Sequence, residues 1–137
     1  MIFSEETCKV WTPRILSVMR IIMGFLFLQH GTAKLLGFPH VTMFDNLQLA
    51  SLIGVAGILE LVGGSMILVG LFTRPVAFIL SGEMAVAYFM VHAQHGWVPM
   101  LNQGELAVIY CFVFLYLSVA GGGVYGLDAM MRGKAKG

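Results

Sequence analysis

Four apolar stretches divide this sequence, each close to the ~20 residues that a helix needs to cross a bilayer. They run over about 15–36, 49–72, 75–92 and 105–121. A soluble domain carries about a quarter charged residues; this chain of 137 is 58% hydrophobic and 11% charged, with a mean hydropathy of +0.87. Eight Lys and Arg with seven Asp and Glu cannot coat a water-facing surface around that much apolar material. The expected fold is therefore all-α: one integral membrane domain over 1–137, its four transmembrane helices forming an antiparallel bundle. The lipid bilayer is its first partner. A net charge of +1 argues against nucleic acid, which needs a basic patch to neutralise phosphates.

The opening segment, MIFSEETCKVWTPR, has an acidic pair and lacks a small-residue cleavage site, so it does not read as a secretory signal. The first apolar stretch is expected to stay as a span, opened by Thr12 as N-cap and Pro13 at the first helical position. Thr73-Arg74-Pro75 alone separates the second and third spans, which predicts a tight helical hairpin. The segments 37–48 and 93–104 read as capping loops, with room for a short interfacial helix. Orientation follows from basic flanks. Lys9, Arg14, Arg74, Arg132, Lys134 and Lys136 all fall at one end, which predicts a multi-pass protein of the bacterial inner membrane with both termini cytoplasmic. Cys8 and Cys111 are far apart and form no C-x-x-C, so neither zinc nor a dithiol pair has local support. GGSMILVG follows no strand and lacks G-x-G-x-x-G, so it is not a nucleotide loop.

The informative residues are ionisable ones inside the spans, each costing at least ~2.5 kcal/mol at the bilayer centre. Span one carries Arg20, His30 and Lys34, span two Glu60 and span three Glu83; Glu105 stands at the mouth of span four. At ~100° per residue, Arg20, Gly24, Gly31 and Lys34 share one narrow stripe, and small residues on a charged stripe mark a helix–helix contact. Glu60 lies among Gly57, Gly63 and Gly64. Counting ~1.5 Å per residue puts Arg20 and Glu83 about 10 Å above the same end, where they would form a structural ion pair. The same count pairs Lys34 with Glu105 at the opposite mouth and brings Glu60 within reach of His30.

His30, Lys34, Glu60 and Glu105 together form a candidate ligand or proton site, since intramembrane ionisable groups mark such sites. A quinone headgroup would need donors and acceptors of this kind near its carbonyl oxygens. The bland reading of the same residues is register and neutralisation between helices. His92 and His95 lack a partner constellation for haem or metal and read as interfacial. Trp11, Tyr88, Trp97 and Tyr125 suit an aromatic belt.

Several of these pieces occur together in the order of a known family. Arg20-x-x-x-Gly24, His30-Gly31-x-x-Lys34 and Gly57-x-x-Glu60-x-x-Gly63-Gly64 are followed by Gly70-Leu71-Phe72-Thr73-Arg74. Asn102-Gln103-Gly104-Glu105-Leu106-Ala107 and Gly121-Gly122-Gly123-x-Tyr125-Gly126-Leu127-Asp128 complete the series. From Arg20 to Asp128 the chain resembles the DoxX family of small membrane proteins. Many members of that family have Pro and Ser where this chain has Gly122 and Gly126. The resemblance implies a four-helix membrane fold. The family takes its name from a membrane subunit of a thiosulfate:quinone oxidoreductase, and other members are linked to thiol, oxidative-stress and quinone responses. The expected function is a quinone-interacting membrane subunit of an oxidoreductase system, with no catalytic residue, metal or nucleotide assigned and with a partner subunit or a second copy alongside. The alternative is a non-catalytic scaffold or accessory subunit that anchors a larger membrane complex. A small transporter has little support, because no inverted repeat is evident.

Overall fold

In this computed structural model, which describes residues 3–135, the chain is helical nearly throughout. Lys136, counted above among the basic flanks, lies outside the described residues. Helix α1 (Glu5–Leu36) starts earlier than Thr12-Pro13 would imply. Ser4 is its N-cap, with Oγ accepting from the Thr7 N–H at 3.2 Å, and Glu5 and Glu6 occupy the first turn, where the positive end of the helix dipole favours acids. Pro13 therefore sits inside the helix, where it costs one rung of the hydrogen-bond ladder. α1 ends at Gly37, whose φ of 67° is open to glycine at little cost.

Helix α2 (Leu52–Val69) is capped by Ser51 and ends at Gly70, φ 71°. Gly70, Leu71 and Phe72 turn the chain, and α3 (Thr73–Ala87) begins at once. Thr73-Arg74-Pro75 is thus the first turn of α3 rather than the connection itself. A proline is tolerated there because first-turn N–H groups have no partner inside the helix. Beyond Ala87 the axis continues through a π turn (Tyr88–His92) and a 3-10 turn (Ala93–His95). The short helix α4 (Pro99–Asn102), then α5 (Glu105–Ala120) and α6 (Leu127–Lys134), complete the chain.

The four long helices form an antiparallel membrane bundle in which α1 lies along α2 and α3 along α5. The α1–α2 contact is close because glycine removes the side chains from it. A Cβ on Gly24 would fall 2.6 Å from the Leu68 nitrogen, one on Gly64 3.0 Å from Leu28 Cα, and one on Gly31 closer still to Leu61. Backbone thus meets backbone along the stripe that the sequence placed on one face. Phe27 of α1 closes the bundle against Tyr110 and Phe114 of α5, with ring centroids 5.1 and 4.8 Å apart. Ser81 of α3 donates to the Cys111 carbonyl of α5 at 2.8 Å. Outside this core, large apolar side chains such as Ile22, Phe25, Val62, Phe78, Phe112 and Val119 are exposed all round, as acyl chains require. α1, α2 and the α3 segment to His95 are long and apolar enough to cross a membrane. α5 is shorter: its 16 residues reach ~24 Å at 1.5 Å each.

Candidate functional site

Arg20 and Glu83 do not meet, and the expected ion pair is absent. Arg20, 1% exposed, gives its guanidinium to backbone carbonyls instead. Nε donates to Gly122 at 2.9 Å, Nη1 to Ile67 and Leu68 at 2.6 Å each, and Nη2 to Tyr125. Ile67 and Leu68 lie in the last turn of α2, where carbonyls have no partner within the helix and carry the negative end of its dipole. A guanidinium fork with five donors satisfies such a cluster better than one carboxylate would.

The glycine-rich segments fold around that fork. Gly70 and Gly126 approach until a Cβ on either would lie 3.0–3.2 Å from the guanidinium or from the other glycine. Asp128 holds the same corner, accepting from the Phe72 and Thr73 N–H groups at 2.8 and 2.9 Å and so capping α3 from across the bundle. Burial alone would raise the Asp128 carboxyl; those N–H donors, with Arg132 nearby, outweigh it and hold the group below the usual carboxylate range. Arg74 caps α5 in turn, donating to Val119 and Ala120. Sequence reasoning gave Arg74 and Asp128 no such role. Their signal was proximity to helix ends: an acid able to serve an N-terminus and a base able to serve a C-terminus.

The opposite end holds the titratable cluster. Lys34 Nζ lies 2.6 Å from both Oε1 and Oε2 of Glu60, so the lysine expected to reach Glu105 turns inward along its own stripe. Glu60 is 3% exposed. Glu83 comes in from α3 to line the same groove as both, yet neither of its buried carboxylate oxygens has a hydrogen-bond partner. His30 does not bond Glu60; its ring lies 6.0 Å from Tyr110 and 6.4 Å from Phe27. Glu105 is exposed in the first turn of α5, forms no ion pair among the described residues and lies apart from the cluster's cavity. A helix N-terminus offers that acid a favourable dipole without any lysine. Thus Lys34 and Glu60 come together as a site, Glu83 joins them from its assigned structural role, and Glu105 does not.

Between α2 and α3 these three side chains reach a groove of about 300 Å³. Its walls are apolar, formed by residues that include Ile53, Ala56, Leu59, Ile79, Met84 and Met90. Several wall residues are also exposed on the lipid-facing surface, among them Ile53, Ile79 and Met90. The groove is a lateral opening from lipid to a polar floor. Above it, Asn102 organises the crossing from α3 to α5: its amide donates to Gly96 O and Tyr88 Oη at 2.8 and 3.2 Å, and its Oδ1 accepts from the Gly104 N–H at 2.8 Å. His92 Nδ1 lies 3.1 Å from the Asn102 carbonyl and His95 Nδ1 3.0 Å from that of Val91, contacts that tie the 91–102 segment to itself. Among the described residues, no group of three or more His, Cys, Asp or Glu side chains is arranged to hold a metal ion.

A small helical membrane bundle, knotted at one end by an arginine and carrying a lysine and two carboxylates beside a lipid-open groove at the other, is the class these features define. The chain belongs to the DoxX family, whose model matches residues 15–93. An uncharacterised protein of Haemophilus influenzae is 43% identical over 122 residues, 86% of this chain and 91% of that protein. The inner membrane protein YqjF of Escherichia coli is 29% identical over 85% of this chain and 92% of its own length. A Bacillus subtilis protein named "Putative oxidoreductase CatD" is 26% identical over 88% of this chain and 90% of its own. No solved structure matches the chain significantly.

Proposed function

We propose that this chain is a quinone-interacting membrane subunit of an oxidoreductase system. The observation that carries the reading is the groove between α2 and α3, open to lipid and floored by Lys34, Glu60 and the unpartnered carboxyl of Glu83. A lipid-soluble headgroup would enter sideways between apolar walls, leaving its chain in the bilayer. A buried polar group without a partner costs about 1–3 kcal/mol, and a ligand with carbonyl or hydroxyl oxygens relieves that cost. The oxidoreductase name of the Bacillus subtilis relative points the same way.

When bound, a quinone supplies two-electron chemistry that also takes up two protons on reduction. The electrons would come from a partner subunit that holds the reductant. This chain binds and handles protons. Lys34 and Glu83 would hold the headgroup through its oxygens, Glu60 would keep Lys34 in place, and all three could pass protons to or from the bound group. Lys9, Arg14, Arg74, Arg132 and Lys134 flank the Arg20 end, whereas the loops 37–51 and 96–104 have no Lys or Arg. Such a bias supports an orientation with both termini in the cytoplasm of a bacterium and the groove in the outer half of its inner membrane.

The test is saturable binding of a short-chain ubiquinone to the purified chain in lipid nanodiscs. Glu83→Gln and Leu59→Trp are each expected to weaken binding at least tenfold, while Arg14→Gln leaves it unchanged. Absence of binding, or equal binding by all three variants, refutes the reading. In that event, retention of a co-purified partner by Glu60→Gln would support the scaffold alternative.

A further inference from the structure

A second cavity, of about 280 Å³, lies beneath the loop that joins α1 to α2. Its lining includes His40, Val41, Phe44, Asp45 and Leu47 of that loop, together with Lys34. Lys34 is the one residue that lines both this cavity and the α2–α3 groove. The two spaces differ in character. The groove is walled by aliphatic side chains and faces lipid, whereas the loop cavity has an exposed rim where His40 Nε2 and Asp45 Oδ1 lie 3.0 Å apart.

We infer that the loop cavity is the water-side proton inlet of the buried site, with Lys34 as the gate between water and the groove. The Lys34 amine stands 5.7 Å over the Phe44 ring on the loop side and 2.6 Å from both Glu60 oxygens on the other. A proton from water passes the His40–Asp45 rim and reaches the Lys34–Glu60 pair; Glu83 makes no hydrogen bond at rest, so a swing of the Lys34 stem within the shared groove carries the proton on, each transfer breaking one N–H or O–H bond and forming another. Glu60 from α2 and Glu83 from α3 line the groove with Lys34, and His40 and Asp45 of the loop line the second cavity with it. His30, on α1 itself, and Tyr110 of α5, with rings 6.0 Å apart, are the other titratable groups facing the pair, and neither lines the loop cavity. Hydrocarbon cannot supply protons, so a site that opens sideways to lipid needs a separate route to water.

The inference rests on the groove being the working site, but its test needs no quinone. The infrared carboxyl stretch of Glu83, identified by its loss in Glu83→Gln, reports how fast that proton exchanges after transfer to deuterated buffer. The protein, in nanodiscs, carries Val41→Cys with Cys8→Ser and Cys111→Ser. A bulky water-soluble maleimide is attached only after folding, so the plug cannot disturb assembly. Labelling is expected to slow exchange at least tenfold, whereas Leu59→Trp, which fills the groove, leaves the rate unchanged while removing quinone binding. Unchanged exchange after complete labelling, slowing by Leu59→Trp alone, or no exchangeable Glu83 band at neutral pH overturns the inlet. Failure of quinone binding with a plug-sensitive Glu83 band would overturn the groove's assignment and leave the inlet standing.

Discussion

Replacing Glu83 with Met is expected to stabilise this protein, and the sign of that change separates two accounts of its buried charges. Both carboxylate oxygens of Glu83 are buried without a hydrogen-bond partner, and an unsatisfied buried polar group costs about 1–3 kcal/mol. Methionine has similar length, no polar atoms and enough flexibility to fill the floor of the groove between Ala56, Leu59 and Met84. The expected gain is therefore about 1–3 kcal/mol, or roughly 3–10 °C for a chain of this size. Had Glu83 been the partner of Arg20, its removal would strand a buried guanidinium and cost about 3–5 kcal/mol. Thermal unfolding in detergent, followed by circular dichroism or by fluorescence of a thiol dye, reads the sign directly. Destabilisation by more than about 1 kcal/mol would refute the claim that Glu83 stands without a structural partner. Loss of quinone binding in the same stabilised variant is the companion expectation, the usual trade of stability for function.

Arg20→Met should be the severest substitution: it strands the carbonyls of Leu68, Gly122 and Tyr125 and costs about 3–5 kcal/mol, with Arg20→Lys intermediate, as unfolding in denaturant would show. Lys34→Met should cost about 3 kcal/mol by leaving Glu60 buried and unpaired, and Lys34→Met with Glu60→Leu should recover most of that loss in a double-mutant cycle. Asp128 is held below the usual carboxylate range, so its cap on α3 contributes fully above about pH 5 and is lost as pH falls through the folded value, below the ~3.9 of an unfolded Asp. Acid titration of stability should show that loss in the parent chain, while Asp128→Asn, about 1–2 kcal/mol weaker at neutral pH, should lack this component of it. Gly31→Val should separate α1 from α2, since even a Cβ there meets the Leu61 backbone, and unfold the bundle well below the parent's midpoint.

The fold was largely legible because lipid imposes length and polarity on each segment. The four apolar stretches became α1, α2, α3 and α5, and helical phase alone put Gly24 and Gly31 on the buried stripe with Arg20. Pairing was less legible, for two physical reasons. Arg20 found carbonyls, which every residue carries and no letter of the sequence distinguishes, so counting depth selected the nearest acid instead. Lys34 has a flexible stem that lets its head lie about a turn away from its Cα; depth counting placed the head at the mouth, whereas it bends back to Glu60. Glu105 looked like a partner because it is acidic and near the same end, but the start of α5 accounts for it. The early start of α1 is written in Ser4-Glu5-Glu6-Thr7, a cap followed by acids, a signal weaker to the eye than Thr12-Pro13.

The central claim, that a lipid-soluble headgroup reaches Lys34, Glu60 and Glu83 through the α2–α3 opening, is tested most directly by photolabelling. A photoreactive ubiquinone analogue, irradiated with the protein in native-lipid vesicles and mapped by peptide mass spectrometry, should mark α2 near Ala56 and Leu59 and α3 near Ala87 and Met90. Excess ubiquinone should compete the label away, and Leu59→Trp should abolish it. Label spread evenly over the lipid-facing surfaces of all four long helices, or unmoved by competitor and by the filled groove, would contradict the account.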